Sequence, residues 1–269
     1  MKLLELIVLG VIQGLTEFLP ISSDGHLALA ERWFGIEEGN LAITVALHAG
    51  TLFAVILYFR RDIERILRTL PAVVRGTAAE PDRRLLIALL VGSVPTAALG
   101  LLLKDATERL SHSLWAIGGF LLFSGAWNWV IVARSRNPGV GRGVEALRSG
   151  DAIAIGVVQG LAVLPGLSRS ASTIGMGVAL GLTRDAAARY SFLLSLPAVA
   201  GALFLQAKDI HALPSDHYVP VLVGTVVSFV VGLAALWALF AMLRRGRFDV
   251  FAWYCWALGG VVLWIASRA

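Results

Sequence analysis

Charge is scarce in this sequence. Only 15% of its 269 residues are Asp, Glu, Lys or Arg, where an ordinary soluble domain carries roughly 25%, and 57% are hydrophobic. A water-soluble fold of this composition would have too little polar material to cover its apolar surface, which excludes that class. Cysteine is nearly missing as well. Cys255 stands alone inside an apolar run, so no intrachain disulfide can form and the residue reads as a small apolar filler. No Cys/His metal spacing, P-loop or dinucleotide fingerprint occurs. Nor does the net charge of +5 mark a nucleic-acid binder, because the arginines are scattered between apolar runs and form no basic domain with aromatic platforms.

What fills the chain is long apolar runs, at 1–22, 42–59, 85–103, 114–133, 151–183, 190–206, 218–243 and 249–267. Most are near the ~20 residues that cross a bilayer as helix. The first is not a removable leader, since Glu5 and Glu17 interrupt it and no small-residue cleavage site follows before Ser22 to His26. The tryptophans, among them Trp115, Trp127, Trp129, Trp237 and Trp264, read as interface anchors or packing.

Arginine placement orients the runs. Segments 60–84 (Arg60, Arg61, Arg65, Arg68, Arg75, Arg83, Arg84), 134–150 (Arg134, Arg136, Arg142, Arg148) and 244–248 (Arg244, Arg245, Arg247) should be cytoplasmic. Parity then puts both termini outside and makes 151–183 enter and leave on the cytoplasmic side, as a re-entrant hairpin broken near Pro165-Gly166. A repeat says the same of run 1–22. Gly10-Val11-Ile12-Gln13-Gly14-Leu15 matches Gly156-Val157-Val158-Gln159-Gly160-Leu161, Leu19-Pro20 matches Leu164-Pro165, and a serine follows each proline by three, Ser23 and Ser168. The expected fold is an all-α polytopic membrane protein, one membrane domain over 1–269. It is built of two inverted-topology repeats, about 1–136 and 150–269, each a re-entrant helical hairpin followed by three transmembrane helices.

The hairpins hold nearly all the polar residues that interrupt apolar sequence. Gln13 and Glu17 are four apart and share a helix face. A carboxylate at such depth costs roughly 2.5–3.5 kcal/mol on insertion scales, so it implies a partner or a function. Arg169 carries a similar cost and presents a planar fork of donors suited to phosphate oxygens. Pro165-Gly166-Leu167-Ser168-Arg169-Ser170 has the look of an anion cradle, a sharp turn exposing successive N–H groups ahead of a helix N-terminus. The plainer reading is a structural Glu17–Arg169 ion pair beside an N-capping serine. His26, three residues past Ser23, stands where a proton-transfer partner for a hydroxyl would be. His48 lacks polar neighbours in sequence and reads as packing or outer support.

Two motifs, Gln13-Gly14-Leu15-Thr16-Glu17-Phe18-Leu19-Pro20-Ile21-Ser22-Ser23-Asp24-Gly25-His26 and Leu164-Pro165-Gly166-Leu167-Ser168-Arg169-Ser170, resemble those of the undecaprenyl-diphosphate phosphatase family of the bacitracin-resistance type. Leu47-His48-Ala49-Gly50 adds to the likeness, which runs the full length in the size and order of segments. The resemblance implies hydrolysis of undecaprenyl diphosphate to the monophosphate and inorganic phosphate, recycling a lipid carrier for cell-wall polysaccharide synthesis. It implies a multi-pass protein of the bacterial inner membrane with its site toward the periplasm, a long-chain polyprenyl diphosphate as partner, no nucleic acid, and a homodimer as an option. A divalent cation, Mg2+ or Ca2+, is implied too; the carboxylates at hand to hold it are Glu17 and Asp24, the latter this chain's own and not part of the family pattern. The resemblance implies catalytic roles for Glu17, Ser23 (nucleophile), His26 (proton transfer) and Arg169 (phosphate clamp); the cradle and the polar hairpin faces themselves point to Gln13, Ser22, Gly166, Ser168, Ser170 and Thr173 as substrate-binding residues.

Two positions depart from the family pattern. Gln13 occupies the first acidic position, and Asp24 stands where a neutral Ser or Thr is usual, either to pair with Arg169 or to help hold the cation. Attack by Ser23 and direct attack by water both fit the sequence. A transporter or flippase of a polyprenyl phosphate or other anion is the rival reading, because an inverted repeat with midplane hairpins is also a transporter plan. The topology is testable first: with Cys255 replaced, a cysteine introduced within 60–84 should resist an impermeant thiol reagent applied to intact cells. Labelling there would overturn the scheme.

Overall fold

A computed structural model describes residues 3–36, 41–134, 141–211 and 217–268. Arg136 and the rest of 135–140, and residues 212–216 of the expected outer link, lie outside the described residues. Among those described, the chain is helical throughout, apart from its turns, a 3-10 turn at Val144–Ala146 and one isolated bridge between Arg142 and Leu182. The helices are α1 (Leu3–Phe18), α2 (Ser23–Phe34), α3 (Leu41–Tyr58), α4 (Arg60–Val74), α5 (Glu80–Leu102), α6 (Lys104–Ser111) and α7 (Leu114–Arg134). They continue with α8 (Ser149–Leu161), α9 (Arg169–Ala179), α10 (Arg184–His211), α11 (Tyr218–Arg245) and α12 (Asp249–Ala266).

Five helices, α5, α7, α10, α11 and α12, are long and apolar enough to span a bilayer, and α3 with α4 makes a sixth if that pair, bent by 78°, is one span. Large apolar side chains remain exposed along them, Val94, Phe204, Val219 and Trp237 among them. Patches of that extent would be untenable in water and are expected against lipid. The chain is therefore a multi-pass membrane protein. Where the sequence reading saw only a link at 60–84, the chain forms α4. Arg60, Arg61, Arg65 and Arg68 alternate with Ile63, Ile66, Leu67 and Leu70 at helical spacing, giving an amphipathic helix that turns away from α3.

Breaks fall where proline and glycine were expected to place them. α1 and α2 touch and are joined by Leu19–Ser22, and α8 and α9 touch and are joined by Ala162–Ser168. At 16, 12, 13 and 11 residues, none of the four reaches across ~30 Å of hydrocarbon at 1.5 Å per residue. A pair of short helices flanking a break thus occurs twice, at α1–α2 and α8–α9, and helices of the first part of the chain pack on those of the second: α1 along α11, α8 along α5, and α7 along α12.

The repeated glycines explain the closeness of the first two pairs. Gly10 and Gly14 face Gly224, Ser228 and Gly232, and Gly156 and Gly160 face Gly92, Pro95 and Leu99. This is small-residue packing at a four-residue spacing, which lets helix backbones approach in a membrane. At the foot of the second pair, Arg142 donates to the Leu180 and Ala146 carbonyls at 2.8 and 3.0 Å and to Asp151 Oδ2 at 2.8 Å, tying the start of α8 to the end of α9.

A methyl added at Gly14 would lie 2.8 Å from the Ser228 carbonyl oxygen and 2.8 Å from Val231 Cβ, whereas one at Gly100 meets nothing nearer than 4.0 Å. Gly14→Ala should therefore lower stability by ~1–3 kcal/mol through overpacking. Gly100→Ala should hold or raise it, glycine being the poorer helix former. Thermal melting in detergent distinguishes the two signs.

Candidate active site

The two breaks meet. A Cβ built on Gly25, in the first turn of α2, would lie 3.3 Å from Gly166 Cα, so the tip of one broken helix sits against the tip of the other. Gly166 has φ of +96° and its α-hydrogen side faces the Ile117 carbonyl oxygen, where a Cβ would come to 2.6 Å, so only glycine fits there. Ser22, capping α2, also has a positive φ, +72°. A serine held in that region costs of order 1–3 kcal/mol, a strain typical of functional sites.

One helix holds both tips. Ser124 Oγ donates to the Gly166 carbonyl at 2.9 Å and accepts from the Ser168 amide at 2.9 Å. Asn128 Nδ2 donates to the Pro20 carbonyl at 2.7 Å. The two are four residues apart on α7 and so share a face. Neither was singled out from the sequence, although two polar residues at that spacing in an apolar span were a readable signal.

Glu17 is the hub. Its Oε1 pairs with Arg169 Nη2, and its Oε2 accepts from Ser23 Oγ at 2.7 Å and from Gln13 Nε2 at 3.1 Å. Its side chain is only 8% exposed and that of Arg169 16%, so the pair joins the two breaks in a largely dehydrated setting. Arg169 also lies over the Phe192 ring, 5.9 Å from its centroid. Its Nη1 is buried with no hydrogen-bond partner, as is Gln13 Oε1. Buried donors are nearly always satisfied, so half of the Arg169 fork is left open for something else.

The remaining expected residues fall into two groups. Ser23 stands beside Glu17. His26 does not bond it: its Nδ1 lies 2.6 Å from the Ser22 carbonyl oxygen, and its Nε2 lies 2.7 Å from the Tyr254 hydroxyl, with the two rings stacked at 5.6 Å. The group that receives the Ser23 hydrogen bond is Glu17. In the second break the hydroxyls are used internally. Ser168 caps α9 by accepting from the Ala171 amide and meets Ser170 at 3.3 Å, Ser170 Oγ donates to the Leu19 carbonyl at 3.3 Å, and Thr173 meets Ser191 Oγ at 2.5 Å. Those hydroxyls hold the turn in place, and the amides of Arg169 and Ser170 in the first turn of α9 have no acceptor within the helix.

His48 belongs to the site after all. Its Nδ1 is 2.8 Å from the Thr44 carbonyl oxygen and therefore donates, and its Nε2 points between Glu17 Oε2 and Asp24 Oδ1, 3.6 Å from each. Asp24 thus faces His48 in place of Arg169. As for a cation, the oxygens of Glu17 are taken by protein donors, and among the described residues no cluster of three His, Cys, Asp or Glu forms a metal site. Asp24, 45% exposed, is the more accessible of the two carboxylates, Glu17 being 8% exposed.

The class is now defined: an integral membrane protein whose charged site is built between the tips of two broken helices. The chain belongs to the bacitracin resistance protein BacA family, which it matches over residues 6–261. It is 46% identical over 277 residues to an undecaprenyl-diphosphatase of Desulfosudis oleivorans, covering 100% of both chains. It is 44% identical over 269 residues to one of Desulforapulum autotrophicum, covering 96% of both, and 38% identical over 274 residues to one of Methanosphaera stadtmanae, covering 98% of both.

Because Ser124 bonds a buried carbonyl and a buried amide at once, Ser124→Ala leaves both unsatisfied. A loss of ~1–3 kcal/mol is expected, read as a lower melting temperature in detergent together with faster proteolysis at 162–168. An unchanged melting profile would show that α7 does not hold the second turn.

Proposed function

We propose that the protein hydrolyses the terminal phosphoanhydride of undecaprenyl diphosphate, releasing inorganic phosphate and undecaprenyl phosphate, the carrier reused in cell-wall polysaccharide synthesis. The observation that carries this reading is the chain Ser23–Glu17–Arg169: a hydroxyl at 2.7 Å from a carboxylate whose other oxygen engages a guanidinium with a free half-fork. The relatives' names favour hydrolysis over the transport reading, and so does this chain, since a carrier needs no activated hydroxyl.

In this mechanism the free half of the Arg169 fork and the first-turn amides of α9 hold the terminal phosphoryl group. Phosphoryl transfer is chiefly a matter of positioning and charge neutralisation, which these groups supply. Ser23 Oγ attacks the terminal phosphorus as its proton passes to Glu17. The bond from phosphorus to the bridging oxygen breaks, and the lipid monophosphate leaves with the electron pair. Glu17 passes that proton to bulk water and then takes one from the attacking water; the hydroxide adds to phosphorus as the Ser23 Oγ–P bond breaks, Glu17 returns its proton to Oγ, and phosphate is freed. His26 orients the strained Ser22–Ser23 turn through its bond to the Ser22 carbonyl. A divalent cation, where present, would sit at Asp24 and supply charge neutralisation to the diphosphate.

The family resemblance supports a location in the bacterial plasma membrane with the site opening to the periplasm, and arginine parity places the start of α1 on that outer side. Phosphate release from a long-chain polyprenyl diphosphate by the purified protein in detergent, with and without chelator, tests the activity and the cation together. Glu17→Gln should stay folded by size-exclusion chromatography yet lose on the order of 10²–10⁴ in rate, as expected for loss of a general base. Arg169→Lys should not restore what Arg169→Ala removes, because an ammonium cannot offer a planar fork. Phosphate release absent in the unmodified protein, or wild-type turnover in Glu17→Gln, would refute the reading.

A further inference from the structure

We infer that the groove between α6, α7 and the Pro165–Arg169 turn receives the isoprenoid tail of the diphosphate substrate where it joins the head group. This rests on the hydrolase reading above and extends it to the lipid half of the molecule. The groove is open along one side, has a volume of about 480 Å³ and is lined by Leu110, Trp115, Gly119, Phe120, Phe123 and Leu167 among others. That is within the ~300–1,000 Å³ of an ordinary ligand pocket, enough for the head-proximal part of a long hydrocarbon whose remainder continues into the bilayer.

Three observations point to this occupant. Continuity is the first: Leu167 lines the groove, and the next two residues, Ser168 and Arg169, belong to the polar site, so the two regions are separated by at most ~8 Å of chain. Gly166 closes the joint, since a Cβ there would reach Phe120 Cβ at 2.9 Å. Chemistry is the second. The wall is hydrocarbon and aromatic, and Phe123 is braced by stacking on Trp127 at 6.1 Å with 12° between ring planes, which makes a firm apolar face for a planar olefinic chain. By contrast, the groove along α4 is lined by Arg60, Glu64 and Arg68 as well as apolar residues, and it lies on a segment that charge parity assigns to the cytoplasmic side.

The third observation is Gly119. On α7, a Cβ at Gly118 would strike the Leu263 side chain at 2.8 Å and one at Gly125 the Trp256 ring at 2.5 Å, so those glycines serve packing against α12. Gly119 has nothing within 4 Å. A helix-interior glycine is disfavoured against alanine, and no protein neighbour requires this one. Its missing side chain leaves space on the floor of the groove.

Filling that space should therefore penalise the tail and spare the head. In Gly119→Leu, and to a smaller degree in Gly119→Ala, kcat/KM for a C55 polyprenyl diphosphate should fall by roughly tenfold or more, within the range that a few carbons command in an apolar pocket. The fall should come through KM. The affinity of a C5 isoprenyl diphosphate, measured as substrate or as competitive inhibitor on the same preparations, should change far less. Gly201→Leu puts equal bulk on α10 at another glycine with nothing within 4 Å, and it should keep the wild-type ratio of long-chain to short-chain affinity. A ratio unmoved by Gly119→Leu, or moved as far by Gly201→Leu, overturns the groove assignment while leaving the hydrolase reading intact. An unmodified protein that releases no phosphate from the long-chain substrate sinks both.

Discussion

The ion pair between Glu17 and Arg169 is the constraint around which the rest of the molecule is arranged. Its partners are 152 residues apart and lie on the two broken elements. Burying two charges in a membrane protein is unfavourable unless each is well supplied with hydrogen bonds and its partner is held in place, because the desolvation penalty otherwise exceeds the Coulombic return. The surroundings answer both requirements. Ser23 and Gln13 donate to the carboxylate, Phe192 lies under the guanidinium, and α7 fixes the two tips through Ser124 and Asn128. Glycines at four-residue spacing bring α1 against α11 and α8 against α5 closely enough for the tips to meet.

Irregular backbone at membrane depth obeys a similar constraint. Carbonyls freed where a helix stops have no water to turn to, so they must find protein donors. The Pro20 carbonyl takes Asn128, that of Gly166 takes Ser124, and that of Leu19 takes Ser170. Each of these bonds crosses from one element to another. The demand for satisfied backbone thus does the same work as the ion pair, locking the breaks together and leaving Arg169 Nη1 as a donor still unfilled at the centre.

Much of this was legible in the sequence because polar residues are expensive in apolar runs. Glu17, Ser23 and Arg169 stand out for that reason, and the repeat of Gly-x-x-Gln-Gly marks both helices that precede the breaks. Less legible were residues whose role depends on a partner remote in sequence. His48 shows nothing locally and acquires its place only when α3 brings it within 3.6 Å of two carboxylates. Tyr254, lost among the aromatics of α12, meets His26 from 228 residues away. His26 itself was expected beside the Ser23 hydroxyl from their spacing of three. The capped start of α2 turns its ring toward the Ser22 carbonyl and Tyr254 instead. The amphipathic α4 was hidden by its arginines, which fixed a side of the membrane in the reading while its apolar face went uncounted.

The repeat also shows how one backbone device yields two complementary halves. Its alignment sets Ser23 against Ser168, Asp24 against Arg169 and His26 against Ala171. Equivalent positions after the two breaks therefore carry opposite charge: the first supplies a carboxylate-held hydroxyl, the second a guanidinium at a helix N-terminus. The hydrolysis proposed above uses both, since its attacking oxygen loses a proton while the phosphorus group is held against its own negative charge. The geometry lets these happen together. Glu17 spends one oxygen on Arg169 and the other on Ser23, and Arg169 answers with one nitrogen while keeping Nη1 open. In the proposed mechanism an anion held by the second half of the fork leaves in place the carboxylate to which the serine proton passes, a division of labour that a lysine, with its single nitrogen, could not provide.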